Sequence, residues 1–208
     1  MRDQGRLGPI EWAMAGRPRP GEYACGDQSL AIGVGGSAAL FGLLDGLGHG
    51  PSAATAATNG VDVVKGACAE RLDVLIQLCH RVLSGTRGAA MTLARIDFEA
   101  GRLSWTGVGN VSANLVAKAA TGIQVRSSAR LTAGIVGYRI PDIAPPQVVP
   151  IRTGDLLLIA SDGIAENHLD HIDFAATAPQ IAAQILEKHA KESDDAMVLA
   201  ARHRGTSI

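Results

Sequence analysis

The chain has 208 residues, and its 19 lysines and arginines against 20 aspartates and glutamates give a formal net charge of −1. This balance argues against the broad basic field that nucleic acids and anionic membranes attract. Hydrophobic residues make up 47% of the chain but aromatic residues only 3%. We therefore expect one domain spanning residues 1–208, with a core built from Ala, Val, Ile and Leu.

Three cysteines, Cys25, Cys68 and Cys79, form neither an even set nor a C-x-x-C pair. A disulfide framework or a zinc knuckle is therefore not expected. Free thiols are typical of a reducing cytoplasm, and the N-terminal residues lack the apolar stretch of a secretory signal. No apolar stretch approaches the roughly 18 residues needed to span a bilayer. These features predict a soluble, cytoplasmic protein.

The first half of the chain begins with strand patterns and continues with helical ones. Residues Ile10–Ala15 are predicted to form a short edge strand, and Ser29–Val34 and Ala38–Leu44 to pair as a hairpin across a glycine-rich turn. An Ala-rich helix is expected to begin at Pro51, which suits a first helical turn. Apolar residues at three- and four-residue steps predict a second helix over Glu70–Leu83.

The second half returns mainly to strands. They are predicted at Ala89–Phe98, Leu103–Val108, Val111–Ala117, Asp155–Ala160 and Met197–Ala201, with an amphipathic helix over Gln180–His189. The proline-rich segment Pro141–Pro150 is predicted to be a surface connection and not a core strand. Strands in the middle of the chain with helices in two blocks favour an α+β fold, in which helices cover sheets, over alternating βαβ units.

Acidic residues lie at the ends of four predicted apolar strands. They are Asp27, Asp45, Asp162 and the pair Asp194-Asp195. Taken singly, an Asp-Gly pair is more often only a turn. Four carboxylates brought to one rim by sheet packing, however, would repel each other and raise each other's pKa values unless a cation neutralised them. Ligands that are all oxygen favour Mg²⁺ or Mn²⁺ over zinc.

The hexapeptide DGLGHG, Asp45–Gly50, follows the second strand of the predicted hairpin. Two ions sharing Asp45 would turn a bridging water into hydroxide and hold a phosphoryl oxygen. The Gly46 carbonyl is an expected additional ligand, because a glycine lets the backbone approach an ion closely. His49 is either an ordinary turn residue or the donor of a proton to a leaving serine or threonine oxygen, and the residues alone leave both open.

In order and spacing, these motifs resemble the protein phosphatase 2C superfamily, in the bacterial branch typified by stage II sporulation protein E. The resemblance rests on Gly26-Asp27, the hexapeptide, Ser161-Asp162-Gly163 and Asp194-Asp195, and it extends from about Glu22 to Arg202. Two further motifs, TRGAAMT over Thr86–Thr92 and GVGN over Gly107–Asn110, are similar to those of the small stand-alone phosphatase of the bacterial stressosome, the RsbX type.

The resemblance implies a four-layer α-β-β-α sandwich, two antiparallel sheets flanked by helices, with a site for two Mn²⁺ or Mg²⁺ ions at one edge. It implies that Asp27, Asp45 and the Gly46 carbonyl hold one ion. Asp45, Asp162 and Asp194 would hold the other, with Asp194 preferred over its neighbour Asp195 as the ligand.

The implied activity is hydrolysis of phosphoserine or phosphothreonine on a partner protein by attack of the metal-bridging hydroxide. The implied substrates are phosphorylated proteins of the stressosome or of the sulfate-transporter/anti-sigma-antagonist (STAS) type. The alternative is a module of the same fold that docks phosphoproteins without turning them over, and the full set of aspartates argues against it.

The chain departs from the eukaryotic members of the superfamily at two positions. Their histidine stands two residues after the metal-binding aspartate, whereas His49 stands four residues after Asp45. They also carry a phosphate-binding arginine shortly before the first metal aspartate, and the stretch Glu22–Gly26 has none. We therefore expect metal-bound waters to hold the phosphate and contacts with a partner protein to supply affinity, which makes small phosphoesters less favoured as substrates.

The segment Gly137–Pro150 is a candidate docking surface, with Tyr138, Ile140 and Ile143 as exposed anchors. Ordinary packing of these side chains over a sheet is the alternative, and it is slightly favoured.

Overall fold

A computed structural model describes residues 1–120, 122–170 and 172–205. Its strands are β1 (Arg2–Leu7), β2 (Ile10–Arg17), β3 (Asp27–Val34), β4 (Ala38–Gly46), β5 (Ala89–Asp97), β6 (Arg102–Val108), β7 (Ser112–Ala119), β8 (Gly122–Ser128), β9 (Leu131–Thr132), β10 (Gln147–Pro150), β11 (Leu156–Ala160) and β12 (Ala196–His203). Its helices are α1 (Pro51–Gly66), α2 (Leu72–Val82) and α3 (Ala178–His189), with a single 3₁₀ turn over Glu166–Leu169.

Two sheets form the inner layers. The first has the order β1-β2-β12-β11-β7-β8 and the second the order β10-β6-β5-β4-β3, and all of these pairs are antiparallel. Among the strands of the described residues, only the two-residue strand β9 pairs in parallel, with β6. Helices α1 and α2 pack on the outer face of the second sheet, and α3 packs on the outer face of the first. The expected α-β-β-α sandwich is confirmed.

The largest apolar cluster fills the space between the two sheets. Phe41 and Trp105 from the second sheet meet Leu157 and Leu199 from the first, and each side chain is at most 1% exposed. Burying a side chain of this size stabilises the fold by about 1.5–3 kcal/mol. Aliphatic residues supply most of the core, as composition predicts, and these aromatic residues add to it.

Strand β1 was not predicted, and it changes the place of β2. Residues Ile10–Ala15 were expected at an edge, but β2 lies between β1 and β12, so that prediction is wrong. The side chains of Arg2–Leu7 are almost all exposed, so the segment carries no alternation of apolar and polar residues. Its backbone nevertheless pairs with β2 along its whole length, which makes β1 the edge strand of the first sheet.

The proline-rich segment ends in a short strand that lies at a sheet edge. Strand β10 is the edge strand of the second sheet, which agrees with the prediction that this segment forms no core strand. Ile140 and Ile143 pack against the cluster between the second sheet and its helices, while Tyr138 is 79% exposed. Packing therefore accounts for the two isoleucines and leaves Tyr138 at the surface.

The three cysteines are free thiols, and Cys25 and Cys79 are buried, as expected for a chain without a disulfide framework. Within the described residues, the helices fall short of the length and apolar character that crossing a membrane requires.

Candidate active site

The β3–β4 hairpin places two of the predicted aspartates face to face. Asp27, the first residue of β3, is the register partner of Asp45 near the end of β4. Antiparallel pairing brings the start of one strand to the end of the next, so both residues lie at the same end of the second sheet. Asp27 is 1% exposed, and Asp45 is half-buried.

The first sheet reaches the same place through the end of β11. The hydroxyl of Ser161 donates to Oδ2 of Asp27 at 2.7 Å, which ties the residue after β11 to the first residue of β3. The amide of Ser161 donates to the Met197 carbonyl at 3.0 Å, so the end of β11 is also fixed to the start of β12. Asp162 and Asp194, which border these two strands, are therefore brought to the edge of the molecule where Asp27 and Asp45 lie.

The carboxyl groups raise each other's pKa values. Burial raises the pKa of Asp45 to about 9, and the negative charges of the other aspartates, Asp27 first among them, act in the same direction. Burial also raises the pKa of Asp27 to about 7, although the hydrogen bond from Ser161 opposes the shift. Burial and the charge of Asp194 raise the pKa of Asp162. The charged form of this carboxylate cluster is thus unfavourable unless protons or a bound cation neutralise it.

A hard divalent cation fits this donor set by its chemistry. The available ligands are carboxylate and carbonyl oxygens, which Mg²⁺ and Mn²⁺ prefer, and a cation would relieve the repulsion that the raised pKa values express. Within the described residues, however, no group of three or more histidine, cysteine, aspartate or glutamate side chains has the geometry of a metal site. The carboxylates share one edge of the molecule without forming a closed ligand shell.

Gly46 lies where helix α1 passes very close to β4. A Cβ atom at this position would stand 2.1 Å from the carbonyl oxygen of Ala53, a distance that only a residue without a side chain avoids. Packing against α1 therefore requires a glycine at position 46, whether or not its carbonyl binds an ion.

The two acidic residues before β12 have different surroundings. The carboxylate of Asp195 is 3% exposed and accepts two backbone hydrogen bonds, from the amide of Arg19 at 2.8 Å and from that of Gly26 at 2.9 Å. Asp194 is half-buried, and one of its oxygens accepts from the amide of Asp195 at 2.9 Å. Asp195 thus fixes the backbone just before Asp27, which favours Asp194 as the residue left to face a metal ion.

Two residues contact Asp162 that sequence reasoning gave no role. Nδ2 of Asn110 donates to Oδ2 of Asp162 at 2.6 Å, and Nζ of Lys191 donates to the Asp162 carbonyl at 2.6 Å. Asn110 ends the GVGN motif, which was noted in the sequence only for its resemblance. Lys191 carried no sequence signal. Together they fix both the backbone and the side chain of the most exposed aspartate of the cluster.

His49 contacts a glutamate from the preceding loop. Its Nδ1 lies 2.7 Å from Oε1 of Glu22, and 44% of the histidine side chain is exposed. A carboxylate in this position orients the imidazole ring. The described contacts connect His49 to Glu22 rather than to any of the aspartates, so its role in proton transfer stays a prediction.

Comparison with known families supplies the identification. Residues 35–204 match the family model described as stage II sporulation protein E (SpoIIE). The chain belongs to this family. The matched range includes Asp45, Asp162 and Asp194, whereas Asp27 precedes it.

A known phosphatase is similar to part of this SpoIIE-family chain. The phosphoserine phosphatase RsbX of Bacillus subtilis (strain 168) is 28% identical over 93 residues, which are 45% of this chain and 46% of RsbX. The match thus spans about half the length of that relative.

Two solved structures superpose on nearly the whole chain. One, described as "The bacterial stressosome: a modular system that has been adapted to control secondary messenger signaling", is 35% identical, with a TM-score of 0.83 over 93% of this chain and 99% of the other. The other is RsbX in complex with magnesium, 19% identical, with a TM-score of 0.79 over 97% of this chain and 98% of the other. The fold is that of the protein phosphatase 2C superfamily.

Proposed function

We propose that this chain is a metal-dependent protein phosphatase that hydrolyses phosphoserine or phosphothreonine. The observation that carries the proposal is the cluster of carboxylates to which both sheets contribute at one edge of the molecule. Burial and mutual repulsion raise the pKa values of Asp27, Asp45 and Asp162, and such a cluster is stabilised by bound cations. Membership of the SpoIIE family and the similarity to RsbX support the same activity.

The proposed ligand assignment is the one that the family resemblance implies, and the position of the four aspartates at one edge of the molecule supports it. Asp27, Asp45 and the Gly46 carbonyl would hold one Mn²⁺ or Mg²⁺ ion, and Asp45, Asp162 and Asp194 would hold a second. When bound, such ions would activate water as a nucleophile and would offset negative charge on the phosphoryl oxygens.

The chain's other residues position these ligands. Asp195 fixes the backbone at Gly26, Ser161 orients the Asp27 carboxylate, and Asn110 holds that of Asp162. Residues in such supporting positions tune both metal affinity and activity. His49, oriented by Glu22, would donate a proton to the serine or threonine oxygen as it leaves.

The proposed substrates are phosphorylated STAS-type proteins of a cytoplasmic stressosome. Two similarities support this choice. RsbX is a phosphoserine phosphatase, and the 35% identical structure belongs to work on the bacterial stressosome. Surface contacts with a whole protein substrate, including the exposed Tyr138, would then contribute to affinity.

Phosphate release in the presence of Mn²⁺ tests the proposal. The purified chain is expected to release phosphate from p-nitrophenyl phosphate and from a phosphoserine STAS-type protein. Asp45→Asn and Asp162→Asn are each expected to reduce turnover by at least about a hundredfold. The matched control is Asp142→Asn, which alters an exposed aspartate in the proline-rich segment.

Activity without a divalent ion, or full turnover in both variants, would contradict the proposed mechanism. Binding of the phosphoprotein with no turnover on any substrate would instead favour the inactive docking module.

A further inference from the structure

The turn between α2 and β5 lies against the hexapeptide loop that follows Asp45. Within this turn, the hydroxyl of Thr86 donates to the Leu83 carbonyl at 2.6 Å and accepts from the amide of Gly88 at 3.0 Å. The Gly88 carbonyl in turn accepts from the amide of Leu47 at 3.0 Å. Arg87 is therefore held between two fixed residues, next to the loop that begins at the central aspartate of the proposed metal site.

The guanidinium group of Arg87 lies over the backbone of Gly48. A Cβ atom built on Gly48 would stand only 2.7 Å from Nη1 of Arg87 and 3.9 Å from its Cζ. Gly48 also has a φ of +84°, a conformation that favours glycine. The absence of a side chain at Gly48 thus leaves space that the arginine occupies.

Arg87 is exposed and has no acidic partner within the part of the chain that the structure describes. The ion pairs found there involve Arg17, Arg71, Arg126, Arg204 and His49, and none involves Arg87. The donors of its guanidinium group make no hydrogen bond to another described residue either. A guanidinium group with free donors thus lies against Gly48, three residues after Asp45, on the loop that leads away from the carboxylate cluster.

We propose that Arg87 binds the phosphate group of the substrate. The planar guanidinium presents paired N–H donors that match two oxygens of a phosphoryl group, and charge-assisted pairs of this kind are among the stronger hydrogen bonds in proteins. The inference rests on the proposed phosphatase function and deepens it. It replaces the expectation that metal-bound waters alone hold the phosphate, because the arginine comes from the turn before β5 and not from the stretch before Asp27.

The inference also gives the TRGAAMT motif a physical reason. Thr86 and Gly88 shape the turn, and the residue between them is presented to the loop. The alternative is a solvated surface arginine that packs against Gly48 and binds no ligand. Such a residue would contribute nothing to phosphate affinity.

The test compares Arg87→Ala and Arg87→Lys with Arg81→Ala, which removes another exposed arginine, in the last turn of α2. The probe is inorganic phosphate in saturating Mn²⁺. Its inhibition constant is measured against p-nitrophenyl phosphate, and its affinity is measured separately from the rise in melting temperature as phosphate is added. Arg87→Ala is expected to weaken phosphate binding about 10- to 100-fold, and Arg87→Lys is expected to lose less. Arg81→Ala should stay within about twofold of the wild type.

Phosphate affinity within twofold of the wild type in Arg87→Ala would overturn the inference while leaving the proposed phosphatase function intact. The thermal readout needs no turnover, so it separates the two claims. If the wild-type chain binds phosphate but shows no phosphatase activity, and Arg87→Ala weakens that binding, the arginine site stands and the proposed function fails. Melting temperatures without phosphate show whether each variant is folded.

Discussion

The inner side and the outer rim of the candidate site are built differently. The inner side, Asp27, Ser161 and Asp195, is at most 3% exposed, and its polar groups are hydrogen-bonded across the two sheets. The outer rim, Asp162, His49 and Arg87, is exposed. The inner side therefore sets the geometry of the site, while the rim meets whatever approaches from solvent. Substitutions in the two regions should differ in kind: inner changes affect stability as well as activity, and rim changes affect activity alone.

The largest effect on stability is expected at Asp195. Asp195→Ala would leave the buried amide of Gly26 and the part-buried amide of Arg19 without their acceptor, and a buried unsatisfied donor costs about 1–3 kcal/mol. Relief of the repulsion that Asp195 exerts on Asp27 and Asp45 offsets part of this loss. The net decrease in the free energy of unfolding should be about 1–3 kcal/mol, measured by urea denaturation without added metal.

Asp142→Ala, at an exposed position, is the matched control and should lie within about 0.5 kcal/mol of the wild type. Equal stabilities for the two variants would mean that the inner side does not depend on the Asp195 carboxylate.

An intermediate effect, on activity only, is expected at Asn110. Asn110→Ala removes the donor to Oδ2 of Asp162, and the loss of such a supporting contact typically costs 10- to 100-fold in metal affinity or activity, so we expect a fall of about tenfold. Because Asn110 is exposed, the free energy of unfolding should change by less than about 0.5 kcal/mol. Turnover with Mn²⁺ and urea denaturation on the same preparation separate the two effects. A large loss of stability with full turnover would reverse the distinction between rim and inner side.

The smallest effect is expected at His49, and it should depend on the substrate. A protonated histidine assists a serine leaving group, whereas p-nitrophenolate leaves readily without a proton. His49→Gln should therefore reduce turnover of a phosphoserine protein several-fold more than turnover of p-nitrophenyl phosphate. Glu22→Gln, which removes the partner of the imidazole, should act in the same direction. An equal decrease on both substrates would remove His49 from proton transfer and leave it as a loop residue.

Much of the fold could be predicted because its strands and helices carry clear periodic patterns. The hairpin of Ser29–Val34 with Ala38–Leu44 and the helix over Gln180–His189 both correspond to observed elements, β3–β4 and α3. Strand β1 could not be predicted, because its side chains are exposed and only its backbone hydrogen bonds define it. Because its side chains are exposed, β1 has no alternation of apolar and polar residues from which a strand could be predicted.

The candidate site was predictable in residue type and only partly in arrangement. Aspartates at strand ends are visible in the sequence, and their positions follow from sheet packing. Asp194 and Asp195 are chemically identical, however, and only the tertiary contacts of Asp195 with Arg19 and Gly26 distinguish them. The role of Arg87 has no signal in the sequence either, since its relation to Gly48 depends on a contact between residues 39 positions apart.

Calorimetric titration of Mn²⁺ into the metal-free wild-type chain and into Asp45→Asn tests the central claim most directly, since Asp45 would contact both ions. We predict that the wild type binds Mn²⁺, with up to two ions per chain, and that Asp45→Asn loses at least about tenfold in affinity. Equal Mn²⁺ binding by the two proteins, or none by the wild type, would contradict a metal centre built on the aspartates at this edge of the sandwich.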